Sequence, residues 1–436
     1  MAFRTRRFDP DRRRFLTTVG ATGLAVASGG LLAGCGSNGG SGDPIKIGYV
    51  SPETGPLSVF GEADRFVIES MQAHFARNPV QVGGRPHQVE ILKRDSQSSP
   101  GRAADMAADL IRNAGVHMML VSSTPDTANP VSDQCEANGV PCVATVIPWQ
   151  PWFFGRGGTE AEPFRWTFQF FYGIEDFEAV YADMWDSLET NKVVGGLWPT
   201  DPDGLSWGNP TSGFPTFIKE RGYTSVDPGH FPIGTQDFSD HIRAFQAAEV
   251  EILTGVPTPV DFNTFWRQAA GLGFRPKLVT IAKCIEFPQA VEALGPALAN
   301  NIGTEIWWSP SHPFTSSVTG QSAKDLAVAY TTATGKQWTM PIGYAHALFE
   351  VAVAAFSTVS AVDDREGLAA AIGSMRVDTI VGPLDWTRGP VPGVAKAPMV
   401  GGQWRSTPGG PFPFEILVVN NEQAPVIPTN GTLLPL

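Results

Sequence analysis

The chain of 436 residues carries 31 lysines and arginines against 43 aspartates and glutamates, a net charge of −12, and 42% of its residues are hydrophobic. That balance excludes a nucleic-acid-binding surface and a polybasic membrane contact. No segment after residue 34 reaches the roughly 20 apolar residues that a membrane-spanning helix needs, and the length allows two or more ordinary domains with substantial cores.

The N-terminus is read first. Residues 1–34 hold Arg4, Arg6, Arg7, Arg12, Arg13 and Arg14 against Asp9 and Asp11, and a short apolar stretch diluted by glycines follows over 19–32. A basic region before a short apolar one is the layout of a secretory signal. Asp11-Arg12-Arg13-Arg14-Phe15-Leu16 resembles the twin-arginine export motif, a receptor-read address. Leu32-Ala33-Gly34-Cys35 resembles the bacterial lipobox, in which small residues fit the signal peptidase and the cysteine thiol carries a diacylglycerol. The order of these features predicts a signal peptide over 1–34, a lipid anchor on Cys35 and a flexible Gly/Ser tether over 35–44. The mature protein is then exported, periplasmic or at the cell surface, and tethered to the membrane; its net charge becomes −16 once the six arginines and two aspartates are gone. The alternative is a plain signal with an incidental cysteine.

Cys135, Cys142 and Cys284 remain, an odd count without metal-ligand spacing. Cys135 and Cys142 flank a helix-to-strand turn, which leaves open both a disulfide in an oxidising compartment and two buried thiols. The seven histidines form no H-x-x-x-H or H-E-x-x-H pattern, so neither metal nor cofactor is expected.

From residue 45 strands and helices alternate. Strands are predicted at 45–50, 89–92, 116–121 and 142–147, with helices after 60, at 101–113 and at 128–138. Residues 164–171 read as a bridge. Alternation resumes with strands at 193–198, 230–233, 250–255, 278–282 and 302–308, separated by helices at 176–188, 211–220, 238–248 and 262–271. Helices follow at 323–334 and 342–359, then a Gly/Pro-rich section of capping loops with an added strand at 415–419. Repeated β-loop-α units imply parallel sheets covered on both faces, so the fold class is α/β with two doubly wound lobes. Ligands in such sheets bind outside the carboxyl ends of the strands, and facing lobes turn those ends into an interlobe cleft.

Several stretches carry a family likeness. They are Ile45-Lys46-Ile47-Gly48 with Thr54-Gly55-Pro56, Asp95-Ser96-Gln97, Pro130-Val131-Ser132-Asp133 with Gly139-Val140-Pro141, and Val381-Gly382-Pro383-Leu384-Asp385-Trp386 with Gly402-Gln403-Trp404. In this order and spacing the chain resembles the type I periplasmic solute-binding proteins of ABC importers, specifically the branched-chain amino-acid-binding group, over roughly residues 45–404. The resemblance implies two lobes joined by a three-crossover hinge, one from 45–168 and 309–400, the other from 169–308 and 401–436. It implies a monomer that traps a small solute by hinge closure and delivers it to the permease subunits of the transporter, with no reaction to catalyse. A ligand sensor on the same fold is the alternative role.

Carried over residue by residue, the resemblance places ligand contacts at Ser122, Ser123, Thr124 and Thr127, where hydroxyls and helix N-terminal N–H groups suit a carboxylate. N-capping alone would also explain them. Ala144 and Thr145 follow the next strand, and Trp149 either walls the pocket or packs the lobe. In the second lobe the candidates are Trp198, Asp203, Trp207, Thr254 and Lys283; Trp207-Gly208 stands where the family has Tyr-Gly. Where amino-acid binders of the family place an acid, this chain has Lys283, with Glu286 three residues on. A cleft lysine beside tryptophans suits an apolar or aromatic carboxylate, and on that reading Lys283→Ala abolishes its binding; otherwise Lys283 points to water. Trp307-Trp308 and Ser311-His312-Pro313-Phe314 lie near a predicted crossover, at the hinge or the cleft rim. A competing class comes from Gly204-Leu205-Ser206-Trp207-Gly208, which fits the G-x-S-x-G nucleophile elbow of serine hydrolases. An elbow needs a strand turning directly into a helix, whereas residues 199–203 intervene with two prolines and read as a loop.

Overall fold

The computed structural model describes residues 42–436. The signal peptide, the Cys35 anchor and most of the tether lie outside the described residues. The first strand already begins at Gly42, so the last three residues of the expected tether belong to the folded body.

The first sheet is built from β1 (Gly42–Ser51), β2 (Val80–Val82), β3 (Arg85–Asp95), β4 (Met118–Ser122), β5 (Cys142–Thr145) and β6 (Thr167–Phe170). The second takes β7 (Val193–Leu197), β8 (Thr224–Val226), β9 (Ile252–Gly255), β10 (Leu278–Ile281) and β11 (Gly303–Ile306). A small hairpin, β12 (Arg376–Thr379) and β13 (Gly382–Asp385), stands apart. β14 (Val394–Ala395) then returns to the first sheet, and β15 (Val400–Ser406) and β16 (Phe414–Asn420) complete the second. The orders are β14-β6-β5-β4-β1-β3-β2 and β16-β15-β11-β10-β9-β7-β8. In each sheet the lobe's opening strand lies parallel between two later strands, β1 between β3 and β4 and β7 between β8 and β9, which is the doubly wound order with its switch point. β2 is antiparallel to β3 across Gly83-Gly84, whose φ values of 57° and 75° allow a two-residue hairpin.

Local chemistry explains the helices. Pro125–Asn138 begins with proline at its first turn and stops at Gly139, with φ at 62°. Pro259–Gly271 starts at Thr258, whose hydroxyl accepts from the Asp261 N–H; Ala323–Thr334 has a Ser322/Asp325 capping box. Pro341–Phe356 is apolar on nearly every face and is buried almost throughout against the first sheet.

Three readings change. Residues 164–171 are more than a bridge, because β6 is the fifth parallel strand of the first sheet. At 230–233 a single parallel bridge from Pro199 to Phe231 forms instead of a strand, and 224–226 takes the place beside β7; Gly229 and Pro232 punctuate the segment, and Ile233 is half exposed. The C-terminal section supplies two antiparallel strands to the second sheet as well as β14 to the first. Cys135 and Cys142 are buried free thiols in one apolar cluster, and burial pushes the Cys135 thiol up.

The chain crosses between the sheets three times: after β6, after β11 and between β14 and β15. Aromatic packing joins the first two passages. Phe171 meets Trp307 at 5.3 Å and Tyr344 at 5.2 Å between ring centroids, and the Tyr344 hydroxyl donates to that of Tyr172 at 2.7 Å. Charge joins the first to the third, where Lys396 Nζ bonds Glu175 at 2.9 Å and Asp176 at 2.7 Å.

Glu178, on helix Ile174–Asp186, is 7% exposed and its Oε1 lacks a partner. Burial, then Glu175 and Glu220, push its carboxyl up to about 8. The folded chain therefore keeps a proton that the unfolded chain has lost, and stability falls as pH rises from the usual 4.5 toward 8. Glu178→Gln is expected to remove that fall and to stabilise the protein by about 1–2 kcal/mol at pH 8, with little effect at pH 4.5, as read by urea unfolding at both values.

Candidate ligand-binding cleft

The carboxyl ends of both sheets open on one gap. From the first lobe come Phe60 after β1, Thr124 after β4, Val146 and Pro148 after β5, and Phe171 after β6. From the second come Asp203 and Trp207 after β7, Val256 after β9, Ala282, Lys283 and Glu286 after β10, and Glu305 and Trp307 at β11, with Phe177 from helix Ile174–Asp186. The lobes also touch directly: Phe60 packs edge-on against Phe287 at 4.8 Å, and Gln289 donates to Glu62. The gap holds about 330 Å³ of space unoccupied by atoms.

One ion cluster dominates the second-lobe wall. Asp201 caps the short helix Pro202–Trp207, accepting from the Gly204 N–H at 2.7 Å. Its other oxygen lies 2.5 Å from Lys283 Nζ, and Asp203 lies 2.6 Å from the same nitrogen. All three side chains are at most 8% exposed. Burial alone would lower the lysine, but Asp203, Asp201 and then Asp126 outweigh it and hold its pKa well above the usual range. Burial raises Asp203 to about 6 against the pull of Lys283. Lys283 also has φ at 70°, and Val146 across the gap has φ at 66°, an uncommon conformation for any side chain and a rare one for a β-branched residue. Each stands just past a strand end, and such strain clusters at ligand sites.

A second cluster lies deeper. Glu305 accepts from Tyr181, from Thr304 at 2.9 Å and from the Trp307 indole at 3.1 Å. Glu286 accepts from the Lys283 backbone N–H at 2.5 Å, and its other oxygen, Oε2, has no partner. Burial, then Glu305, hold the Glu286 carboxyl well above the usual carboxylate range.

Of the twelve candidates, the structure brings Thr124, Asp203, Trp207 and Lys283 to the gap. Trp207 lies flat on Phe214 at 5.0 Å with its indole N–H unpartnered. The others sit behind this wall. Ser122 is buried, Ser123 and Thr127 share a hydroxyl–hydroxyl bond of 2.6 Å, and Ala144 is interior to β5. Thr145 donates to the Phe170 carbonyl at 2.6 Å. Thr254 is buried beneath the gap, and Trp198 packs on Phe214 at 5.8 Å. Trp149 turns to the hinge, where its indole donates to Glu175 at 2.9 Å. Lys283 does not point to water, and two aspartates already hold it, so it is no free cation awaiting a carboxylate. Glu305, Tyr181, Phe171 and Phe177 were not singled out from the sequence. Residues 202–207, expected to be loop, form a helix because Asp201-Pro202 supplies its cap and first turn. Ser206 lies in that helix four residues past its start, so the G-x-S-x-G match is not an elbow. Among the described residues no cluster of three or more His, Cys, Asp or Glu is arranged to hold a metal ion, and no helix is long and apolar enough to cross a membrane.

Two doubly wound lobes with a shared cleft and three crossovers define a type I solute-binding architecture. Residues 44–409 match the periplasmic binding protein family, and the chain belongs to it. A search of curated proteins gives no match. Among solved structures, the leucine-binding protein LivK of Thermotoga maritima is 19% identical with a TM-score of 0.70, over 87% of this chain and 99% of that one. The leucine-, isoleucine-, valine-, threonine- and alanine-binding protein of Brucella ovis, in its closed conformation, is 18% identical with a TM-score of 0.70, over 87% and 96%. A solute-binding protein of an R. palustris ABC transporter, in complex with 4-hydroxybenzoate, is 15% identical with a TM-score of 0.68, over 88% and 100%.

Removing the lysine would leave two buried aspartates facing each other. Lys283→Met is expected to destabilise the fold by about 3–5 kcal/mol, and the triple variant with Asp201→Asn and Asp203→Asn to recover most of that, measured by chemical denaturation. Lys283→Ala would alter binding through the fold as well as through contact, which makes it a poor binding test.

Proposed function

We propose that this protein is the extracytoplasmic substrate-binding lipoprotein of an ABC importer, exported by the twin-arginine route and anchored through Cys35. It captures a small amphipathic solute between its lobes and presents the closed form to the permease as a monomer. The observation that carries this reading is the gap walled by both sheets' carboxyl ends, with aromatic side chains from each lobe and ionised groups from the second. Similarly folded proteins include a leucine-binding protein and one in complex with 4-hydroxybenzoate, and an aromatic-lined gap suits a solute of that size. A solute enters by parting of the lobes and stays by adding contacts to both. Thr124 is the first-lobe hydroxyl in reach; Asp203, Trp207 and Lys283 form the opposing wall.

Screening amino acids, amides, aromatic acids and amines by thermal shift is expected to give a compound that stabilises the protein by about 2.7 kcal/mol at a hundredfold excess over its Kd. No stabilising compound from any of these classes would count against a binding role. In cells, Cys35→Ala is expected to move the mature protein from the membrane to the soluble exported fraction. Arg13→Lys with Arg14→Lys is expected to leave the precursor in the cytoplasm, both read by fractionation and immunoblot.

A further inference from the structure

The polar groups of the cleft are unbalanced. Asp203, Glu286 and Glu305 face the gap against one cation, Lys283, which Asp201 and Asp203 already hold at 2.5 and 2.6 Å. The opposing lobe adds another acid. Asp126 lies in the first turn of helix Pro125–Asn138, takes the Thr124 hydroxyl at 3.1 Å, and acts on Lys283 and Asp203 from across the gap. The positive end of that helix, where a carboxylate would otherwise dock, thus has its own anion. The atoms left without a protein partner agree: Asp203 Oδ1 and Glu286 Oε2 are carboxyl oxygens on residues 3% exposed, and both residues line the gap. The sole unpartnered donor among the gap-lining described residues is the Trp207 indole N–H.

We propose that the cleft selects a solute with a protonated nitrogen on an apolar or aromatic body and without a carboxylate, the nitrogen donating to the unpartnered Glu286 Oε2 and Asp203 Oδ1. This rests on the binding-protein reading. Burial, with the Glu305 carboxylate beside it, holds the Glu286 carboxyl well above the usual carboxylate range, so the empty cleft keeps a proton on Glu286. An ammonium group supplies the missing charge and donors, the proton leaves to solvent, and Asp203 Oδ1 accepts a further N–H. The groups facing Glu286 and Glu305 are Tyr181 and Tyr172 from the first crossover and its helix, and Cys284 and Lys283 from the loop after β10. Asp203 bonds Lys283 at 2.6 Å, and Asp261 acts on Cys284 through its charge. Burial keeps the tyrosines and the thiol protonated, which leaves Glu286 and Asp203 as the cleft carboxyls held above their usual range.

The test uses matched probes on the full chain: phenethylamine, phenylalanine and 3-phenylpropionate, with 3-methylbutylamine, leucine and 4-methylpentanoate as the aliphatic set. Calorimetry is expected to show each amine binding at least about tenfold more tightly than its amino acid, and no binding of the acids. In buffers of different ionisation enthalpy the amines should release about one proton each, and their affinity should rise about tenfold per pH unit while Glu286 holds its proton. Glu286→Gln should still bind the amine but without proton release. Glu286→Gln with Glu305→Gln should lose amine affinity by about a hundredfold or more at an unchanged melting temperature without ligand. If the double variant does not fold, proton release in the single variant decides. Tighter binding of an amino acid or acid than of its amine overturns the inference and leaves the binding-protein reading standing. No binding in any of the three classes overturns both.

Discussion

Everything at the cleft depends on one topological constraint: the chain crosses three times between two parallel sheets whose carboxyl ends face the same gap. Parallel strands leave every βα loop at one end of the sheet, so each lobe presents its loops as a single surface. The crossovers then bind those surfaces to each other. Aromatic packing of Phe171, Trp307 and Tyr344 and the Lys396 pair with Glu175 and Asp176 hold the passages together, so lobe motion is channelled into a hinge.

Within that frame the cleft is a collection of groups that would be unfavourable anywhere else. A buried lysine with two buried aspartates, a pair of buried carboxyls, and two side-chain-bearing residues in the left-handed region all lie at strand ends. Buried ion pairs of this kind contribute little to stability, because desolvation offsets their attraction. Their use is orientation: Lys283 ties the β7 and β10 loops together and holds Asp203 at the gap. The strain at Val146 and Lys283 brings the chain sharply off its strands toward the cavity.

The two sheets show the same plan with different endings. In the first, β14 adds a short parallel edge; in the second, β15 and β16 add an antiparallel pair. These late strands come from the C-terminal section, so both lobes are completed only after the third crossover. The described body belongs to the periplasmic binding protein family, and its cleft is lined by charged, hydrogen-bonding and aromatic side chains beside the crossovers.

Much of this was legible in the amino-acid sequence. Apolar runs such as 118–122 and 142–145, bounded by turn residues, could only be buried parallel strands, and their alternation with helices dictated two doubly wound lobes. The family resemblance pointed to Thr124, Asp203, Trp207 and Lys283, and all four line the gap, where loops after parallel strands converge. β6 was harder, since its aromatic pattern carries no sign of which sheet it joins, and the 224–226 strand was hidden because its polar residues lack alternation. What the tertiary structure alone decided was pairing. Lys283 and Asp201 are 82 residues apart, Tyr181 and Glu305 124, and no local pattern indicates that either pair meets. A lone lysine in sequence is a free cation; in the fold it is a neutralised one, and the excess charge of the cleft changes sign. Burial makes that difference decisive, because a charge removed from water is governed by the partners within a few ångströms of it.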